Sequence, residues 1–241
     1  MELVTVSDYE QMSKNVCQQI VDKVNILKTP VLGLATGGTP ELLYERLIDE
    51  YKSKNVSFAN TFTFNLDEYV GLSGDHPNSY RHYMNEKLLK HVDISIHQTH
   101  IPNGMAENLE EECANYEALI EKAGGIDIQI LGLGMNGHIG FNEPGTSFHS
   151  KTHVVTLDSS TRQANARFFP NAAEVPHKAI TMGINTILSS KKIILMVSGE
   201  KKASALNRLL NGEVSPEFPA SVLLEHPNVT VVADHSALSL L

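Results

Sequence analysis

Between Leu131 and Pro144 the chain reads Leu-Gly-Leu-Gly-Met-Asn-Gly-His-Ile-Gly-Phe-Asn-Glu-Pro. An amide (Asn136), an imidazole (His138) and a carboxylate (Glu143) are thus strung along a glycine-rich stretch. Glycines at 132, 134, 137 and 140 permit tight turning and close backbone approach to a ligand. His138 can exchange protons near neutral pH, and Glu143 is near enough in sequence to orient or charge it. The apolar run Ile126 to Leu133 leads in as a buried strand, and a polar loop at such a strand's end is where open α/β sheets carry chemistry. A lone core histidine is ordinarily a satisfied structural group; the glycines flanking His138 make that a poorer description here. Gly132 to Gly137 also satisfies the GxGxxG spacing of dinucleotide sites. His138 and Pro144 stand where that motif must open a helix, so no dinucleotide is expected.

A second candidate is Thr36-Gly37-Gly38-Thr39-Pro40, placed between a strand and a helix. Thr39 can cap that helix with Pro40 at its first position. Free N–H groups and the helix dipole would then form an anion site. It is not a Walker loop, because the lysine after the glycines is missing. A third candidate is Asp67, which follows the β-rich run Thr61-Phe62-Thr63-Phe64 and should project from a strand's carboxyl end. Partly removed from water there, its carboxyl would have a raised pKa and could accept a carbon-bound proton. On the residues alone, capping the following turn is the more ordinary role for such an Asp-Glu pair.

Together these segments resemble the glucosamine-6-phosphate deaminase (isomerase) family. Leu131 to Pro144 is similar to its GLGxDGHIAFNEP signature. Phe64-Asn65-Leu66-Asp67-Glu68-Tyr69-Val70-Gly71-Leu72 with His76-Pro77-Asn78-Ser79-Tyr80 is similar to a second, and Leu34 to Pro40 to the phosphate loop. The motifs stand in the family's order and the likeness extends over nearly the whole chain.

The resemblance implies roles. Asp67 would move a proton from C2 to C1, while Glu68 would hold Tyr69, water or backbone. His138, supported by Glu143 and Asn136, would open the pyranose ring of glucosamine 6-phosphate. Thr36, Gly37, Gly38 and Thr39 would hold the phosphate together with Arg167 and Lys202, and no cofactor or metal would be needed. Position 136 departs from the family, where many members carry aspartate. Asparagine can orient the imidazole but cannot electrostatically favour its charged form. Longer relatives form hexamers activated by the N-acetylated sugar phosphate, through basic residues after Asn-Glu-Pro and a C-terminal extension. Here that stretch is Lys151-Thr152-His153-Val154-Val155 and the sequence stops at Leu241, so a monomer without an allosteric activator is expected.

Positioning these groups requires strands ending at 35, 66 and 133. Val31 to Ala35, Thr61 to Leu66, Ile126 to Leu133, Lys192 to Val197 and Val229 to Val232 read as buried strands. Asp8 to Leu27, Thr39 to Tyr51, Asn78 to Leu89, Ala106 to Glu121 and Glu200 to Leu210 read as helices. Such alternation predicts a single-domain α/β fold over residues 1–241, an open, mainly parallel sheet covered by helices on both faces. The stretch from about 149 to 181 breaks the alternation and is expected to be a lid insert.

Composition narrows the alternatives. The 241 residues carry 19 basic and 28 acidic side chains, a formal charge of −9, with no basic block, which argues against nucleic acid. No apolar run reaches membrane-spanning length and no signal peptide is evident, so a cytoplasmic location is expected. Cys17 and Cys113 are expected to be reduced and buried. No histidine spacing suggests a metal site. A 6-phosphogluconolactonase, which resembles this fold, would need an activated water but no carbon-acid base, and the segments around Asp67 and Glu143 fit it poorly. A non-catalytic sugar-phosphate sensor would be expected to carry a DNA-binding helix-turn-helix ahead of the domain, absent from this sequence.

Overall fold

A computed structural model describes residues 1–157, 162, 163, 166, 169, 171 and 174–241. In chain order the elements are β1 (Glu2–Val6), α1 (Tyr9–Ile26), β2 (Val31–Leu34), α2 (Glu41–Lys52), β3 (Phe62–Asn65), β4 (Asp67–Tyr69), α3 (Tyr80–Lys87) and β5 (Thr99–His100). There follow α4 (Leu109–Lys122), β6 (Ile128–Gly132), β7 (His153–Thr156), β8 (Lys178–Thr181), α5 (Ile184–Leu188), β9 (Ile193–Val197), α6 (Ala203–Asn211) and β10 (Val229–Asp234).

Seven strands form one parallel sheet in the order β1-β10-β9-β6-β2-β3-β5. β2, β9 and β10 are buried along their whole length, which is why they read as unbroken apolar runs rather than alternating ones. From β2 the chain moves outward through β3 to β5, then returns to lay β6 on the other side of β2. That reversal opens a crevice beyond the carboxyl ends of β2 and β6, where the threonine-glycine and histidine loops begin.

Helix ends follow the side-chain chemistry. Asp8 caps α1 by accepting from Gln11 N, Ser79 caps α3 through His82 N, and Asn108 caps α4 through Glu110 N and Glu111 N. The helix after the threonine-glycine loop departs from expectation. It starts at Glu41 with Pro40 at the cap, and no side chain of the cap residue bonds to it. Thr39 does not cap it; instead Leu42 N donates to the Tyr9 hydroxyl at 3.2 Å. A phenol from α1 supplies the acceptor that a threonine was expected to supply.

A small antiparallel sheet, β4-β8-β7, was not legible in the alternation. Asp67 is the register partner of Thr181, and His153 pairs with Thr181 from the other side. The described ends of the expected lid are therefore strands β7 and β8, while much of its middle lies outside the described residues. Beside this sheet sits a second apolar cluster containing Tyr69, Phe141, Leu157, Phe169, Val175 and Ala179. It walls the crevice on one side. Cys17 and Cys113 are free and buried.

Candidate active site

A cleft of about 840 Å³ lies beyond the carboxyl ends of β2, β3 and β6. Thr36, Gly37, Gly38, Thr39, Asp67, Asn136, His138 and Lys202 all line it. Glu143 stands behind, joined to the cleft through Asn136 and His138. Arg167 lies outside the described residues.

Asp67 and Glu68 are adjacent carboxylates with opposite surroundings. The Glu68 carboxylate accepts from Tyr69 N, Tyr80 N and Arg81 N, each at 2.9 Å, so it anchors the start of α3 to β4. Burial pushes its pKa up and the three N–H donors pull it back. Asp67 is 6% exposed, and among the described residues no donor meets its carboxylate. Burial, then the neighbouring Glu68 charge, pushes its pKa up to about 8. A carboxylate held in this way is costly in its ionised form and correspondingly basic.

The glycine-rich loop turns back on itself after β6, with Gly134 N donating to His138 O at 2.9 Å and Gly137 N to Gly134 O at 3.1 Å. Gly137 has φ +87°, and a Cβ there would meet the Phe218 ring at 2.2 Å. A Cβ on Gly134 would meet three His138 ring atoms at 2.5 Å, so the imidazole packs directly over this backbone. Asn136 Oδ1 accepts from His138 N at 3.2 Å, and Asn136 Nδ2 donates to Glu143 Oε2 at 2.7 Å. His138 Nδ1 lies 3.6 Å from that same oxygen. The loop also reaches Asp67: a Cβ on Gly140 would sit 3.6 Å from Asp67 Oδ2. A carboxyl on β4 and an imidazole on the loop after β6 therefore line one cleft.

Lys202 Nζ donates to Leu133 O at 2.6 Å, just ahead of the glycine-rich loop. It arrives on the short 3-10 turn Glu200–Lys202 that precedes α6. With the backbone N–H groups of the threonine-glycine loop it forms a concave, donor-rich end suited to an anion. Among the described residues no group of three or more His, Cys, Asp or Glu side chains converges as a metal site requires.

A family model for glucosamine-6-phosphate isomerases/6-phosphogluconolactonase matches residues 7–232. The chain belongs to this family. It is 56% identical over 238 residues to a glucosamine-6-phosphate deaminase of Oceanobacillus iheyensis, covering 99% of this chain and 95% of that one. It is 53% identical over 240 residues to glucosamine-6-phosphate deaminase 1 of Bacillus subtilis, covering 100% of this chain and 99% of that one. A solved structure of a monomeric glucosamine-6-phosphate deaminase superposes with TM-score 0.98 at 53% identity, over 100% of both chains. The 6-phosphogluconolactonase of Thermotoga maritima superposes with TM-score 0.76 at 19% identity, over 97% of this chain and 98% of that one, a likeness of fold alone.

Within this isomerase/lactonase fold, several cleft residues are not assigned a place in the site by the sequence: Tyr69, Tyr80 and Phe141 lie inside the quoted motifs, Phe169, Lys87 and Glu41 outside them. Tyr69, Phe141 and Phe169 form an aromatic wall, with Tyr69 centroids 5.8 Å from Phe141 and 5.7 Å from Phe169. Tyr80 donates to the Tyr69 hydroxyl at 3.2 Å beside them. Tyr80 closes a motif already quoted, so its position was visible although its partner was not. Lys87 and Glu41 also line the cleft, paired at 3.4 Å across α3 and α2. No local pattern marks that pair, because it is created by helix packing.

Proposed function

We propose that the chain is a deaminase of glucosamine 6-phosphate, releasing fructose 6-phosphate and ammonia with consumption of one water. The carrying observation is the pairing, in one cleft, of a buried Asp67 whose pKa is raised to about 8 with the His138–Glu143–Asn136 cluster. An ester hydrolase needs the second of these and has no use for the first. Relatives at 53–56% identity that carry the deaminase name support the same reading.

The substrate phosphate docks on Thr36, Gly37, Gly38 and Thr39, with Lys202 and Arg167 as cationic partners. The sugar ring then extends toward His138 and Asp67. His138 delivers a proton to the ring oxygen and removes one from the anomeric hydroxyl, exposing the C1 aldehyde. Asn136 holds the His138 backbone and the Glu143 carboxylate, which stands 3.6 Å from the imidazole and supports its charged form while this happens. Asp67 takes the C2 proton, the C2–H electron pair forming a C1–C2 double bond as the C1=O π pair moves to O1, which is protonated. Asp67 then returns its proton to C1 as the nitrogen lone pair, freed by loss of one ammonium proton, forms the C2–N double bond. The nitrogen-bearing C2 becomes a ketose imine. Water adds to it, the C–N bond breaks, and ammonia leaves. The substrate's C2 ammonium, placed near Asp67, favours the ionised carboxylate that proton abstraction requires.

We further propose a cytoplasmic monomer of one domain, capped over part of residues 149–181 and without an allosteric activator. Its two free thiols fit a reducing compartment, and the solved relative described as monomeric supports the assembly. Incubating the protein with glucosamine 6-phosphate and measuring ammonia and fructose 6-phosphate tests the reaction. Equimolar products are expected; hydrolysis of 6-phosphogluconolactone without ammonia from the amino sugar would replace this function with the lactonase one.

A further inference from the structure

Three tyrosines from three different helices place their hydroxyls on backbone carbonyls in and just before the threonine-glycine loop. Tyr44 of α2 donates to Ala35 O. Tyr83 of α3 donates to Gly37 O at 2.7 Å, and Tyr9 of α1 donates to Gly38 O at 2.9 Å. The Tyr9 oxygen also accepts from Leu42 N, tying the loop to the first turn of α2. Burial raises the pKa of all three phenols, so each remains a protonated donor.

A trans peptide unit points its N–H opposite to its C=O. Holding the Ala35, Gly37 and Gly38 carbonyls on the phenol side therefore turns the N–H groups of Thr36, Gly38 and Thr39 the other way. These residues line the cleft, and among the described residues no acceptor meets their N–H groups. Glycine peptides rotate easily, and Gly37 sits at φ +89°. Without an anchor on each carbonyl, a donor array made of such peptides would have many orientations to lose on binding an anion.

We propose that Tyr9 and Tyr83 are positioning residues for the substrate phosphate, acting through the Gly38 and Gly37 carbonyls to hold the loop's N–H groups toward the cleft. The inference rests on the function proposed above for the identity of the anion, but not for its existence. Tyr9 is the cleaner case: unlike Tyr83 it does not line the cleft, so any effect on a bound anion must pass through the loop.

The test is calorimetric titration with inorganic phosphate of wild type, Tyr9→Phe, Tyr83→Phe and, as a control, Tyr51→Phe on the far end of α2. Each working variant deletes one hydrogen bond and should weaken the phosphate Kd about three- to tenfold. Tyr51→Phe should leave it as in wild type. With glucosamine 6-phosphate the loss should fall on KM, with kcat moving less than threefold. A lower melting temperature with Kd and KM within twofold of wild type in both Tyr9→Phe and Tyr83→Phe would reduce the tyrosines to scaffold and overturn the proposal. So would a wild type that binds no phosphate. A wild type that binds phosphate but releases no ammonia would instead sink the proposed reaction and leave the loop inference standing.

Discussion

Asn136 Nδ2 donates to Glu143 Oε2 at 2.7 Å, while His138 Nδ1 stops 3.6 Å from that same oxygen. The amide thus holds the carboxylate oxygen that the imidazole would otherwise take at full hydrogen-bond distance. An aspartate at 136 could not donate to Glu143. It would place two carboxylates side by side and add a negative charge next to the imidazole. Asn136→Asp is therefore expected to move the acidic limb of the kcat/KM–pH profile upward. A limb that stays in place would remove Asn136 from any electrostatic role.

Gly134 is expected to be intolerant of even one added carbon, because a Cβ there would stand 2.5 Å from the His138 ring. Gly134→Ala should displace the imidazole and lower kcat about 100-fold, while the phosphate end keeps its affinity for inorganic phosphate. Equal loss of phosphate binding would mean that the loop as a whole had collapsed and that His138 was not the specific casualty.

Much of this site was legible because its parts are local. The Thr36–Thr39 turn, the Asn136–His138–Glu143 cluster and the strand before each are all defined within a few residues of chain. What gives Asp67 its character is not local. Its strand partner is Thr181, and the neighbouring Met182 N donates to Leu66 O at 2.6 Å. Phe141 and Phe169 of the second apolar cluster line the same cleft. A sequence window around Asp67 holds none of these. The same holds for Tyr9, 29 residues from the carbonyl it binds, and for Glu68, which serves a helix that starts at Tyr80. The sheet was readable in its buried centre and lost at its margins. β1 has a half-exposed pattern, and β5 has two residues, so neither builds a periodic signal.

Asp67 should also be a stability liability. Its folded pKa of about 8 stands above the value near 3.9 of an unfolded aspartate. Between those values the native state binds more protons than the unfolded chain, so stability falls as pH rises through the window. Asp67→Asn removes that penalty. Its melting temperature is expected to exceed wild type by about 5 °C or more at pH 8.5, with the difference closing toward pH 4. A variant melting at or below wild type at pH 8.5 would contradict the strained burial of this carboxylate.

Rate curves with glucosamine 6-phosphate are expected to be hyperbolic and unaffected by N-acetylglucosamine 6-phosphate, as the proposed one-site monomer requires. Sigmoidal kinetics made hyperbolic by the N-acetylated sugar would require a second site and communicating subunits.

In the proposed reaction Asp67 is the base that acts on carbon. The most direct test compares wild type with Asp67→Asn in ammonia release from glucosamine 6-phosphate, alongside calorimetric binding of fructose 6-phosphate. The expected result is a loss in kcat of about 1,000-fold or more with the binding constant kept within threefold. A folded Asp67→Asn variant that still releases ammonia within tenfold of the wild-type rate would contradict the account.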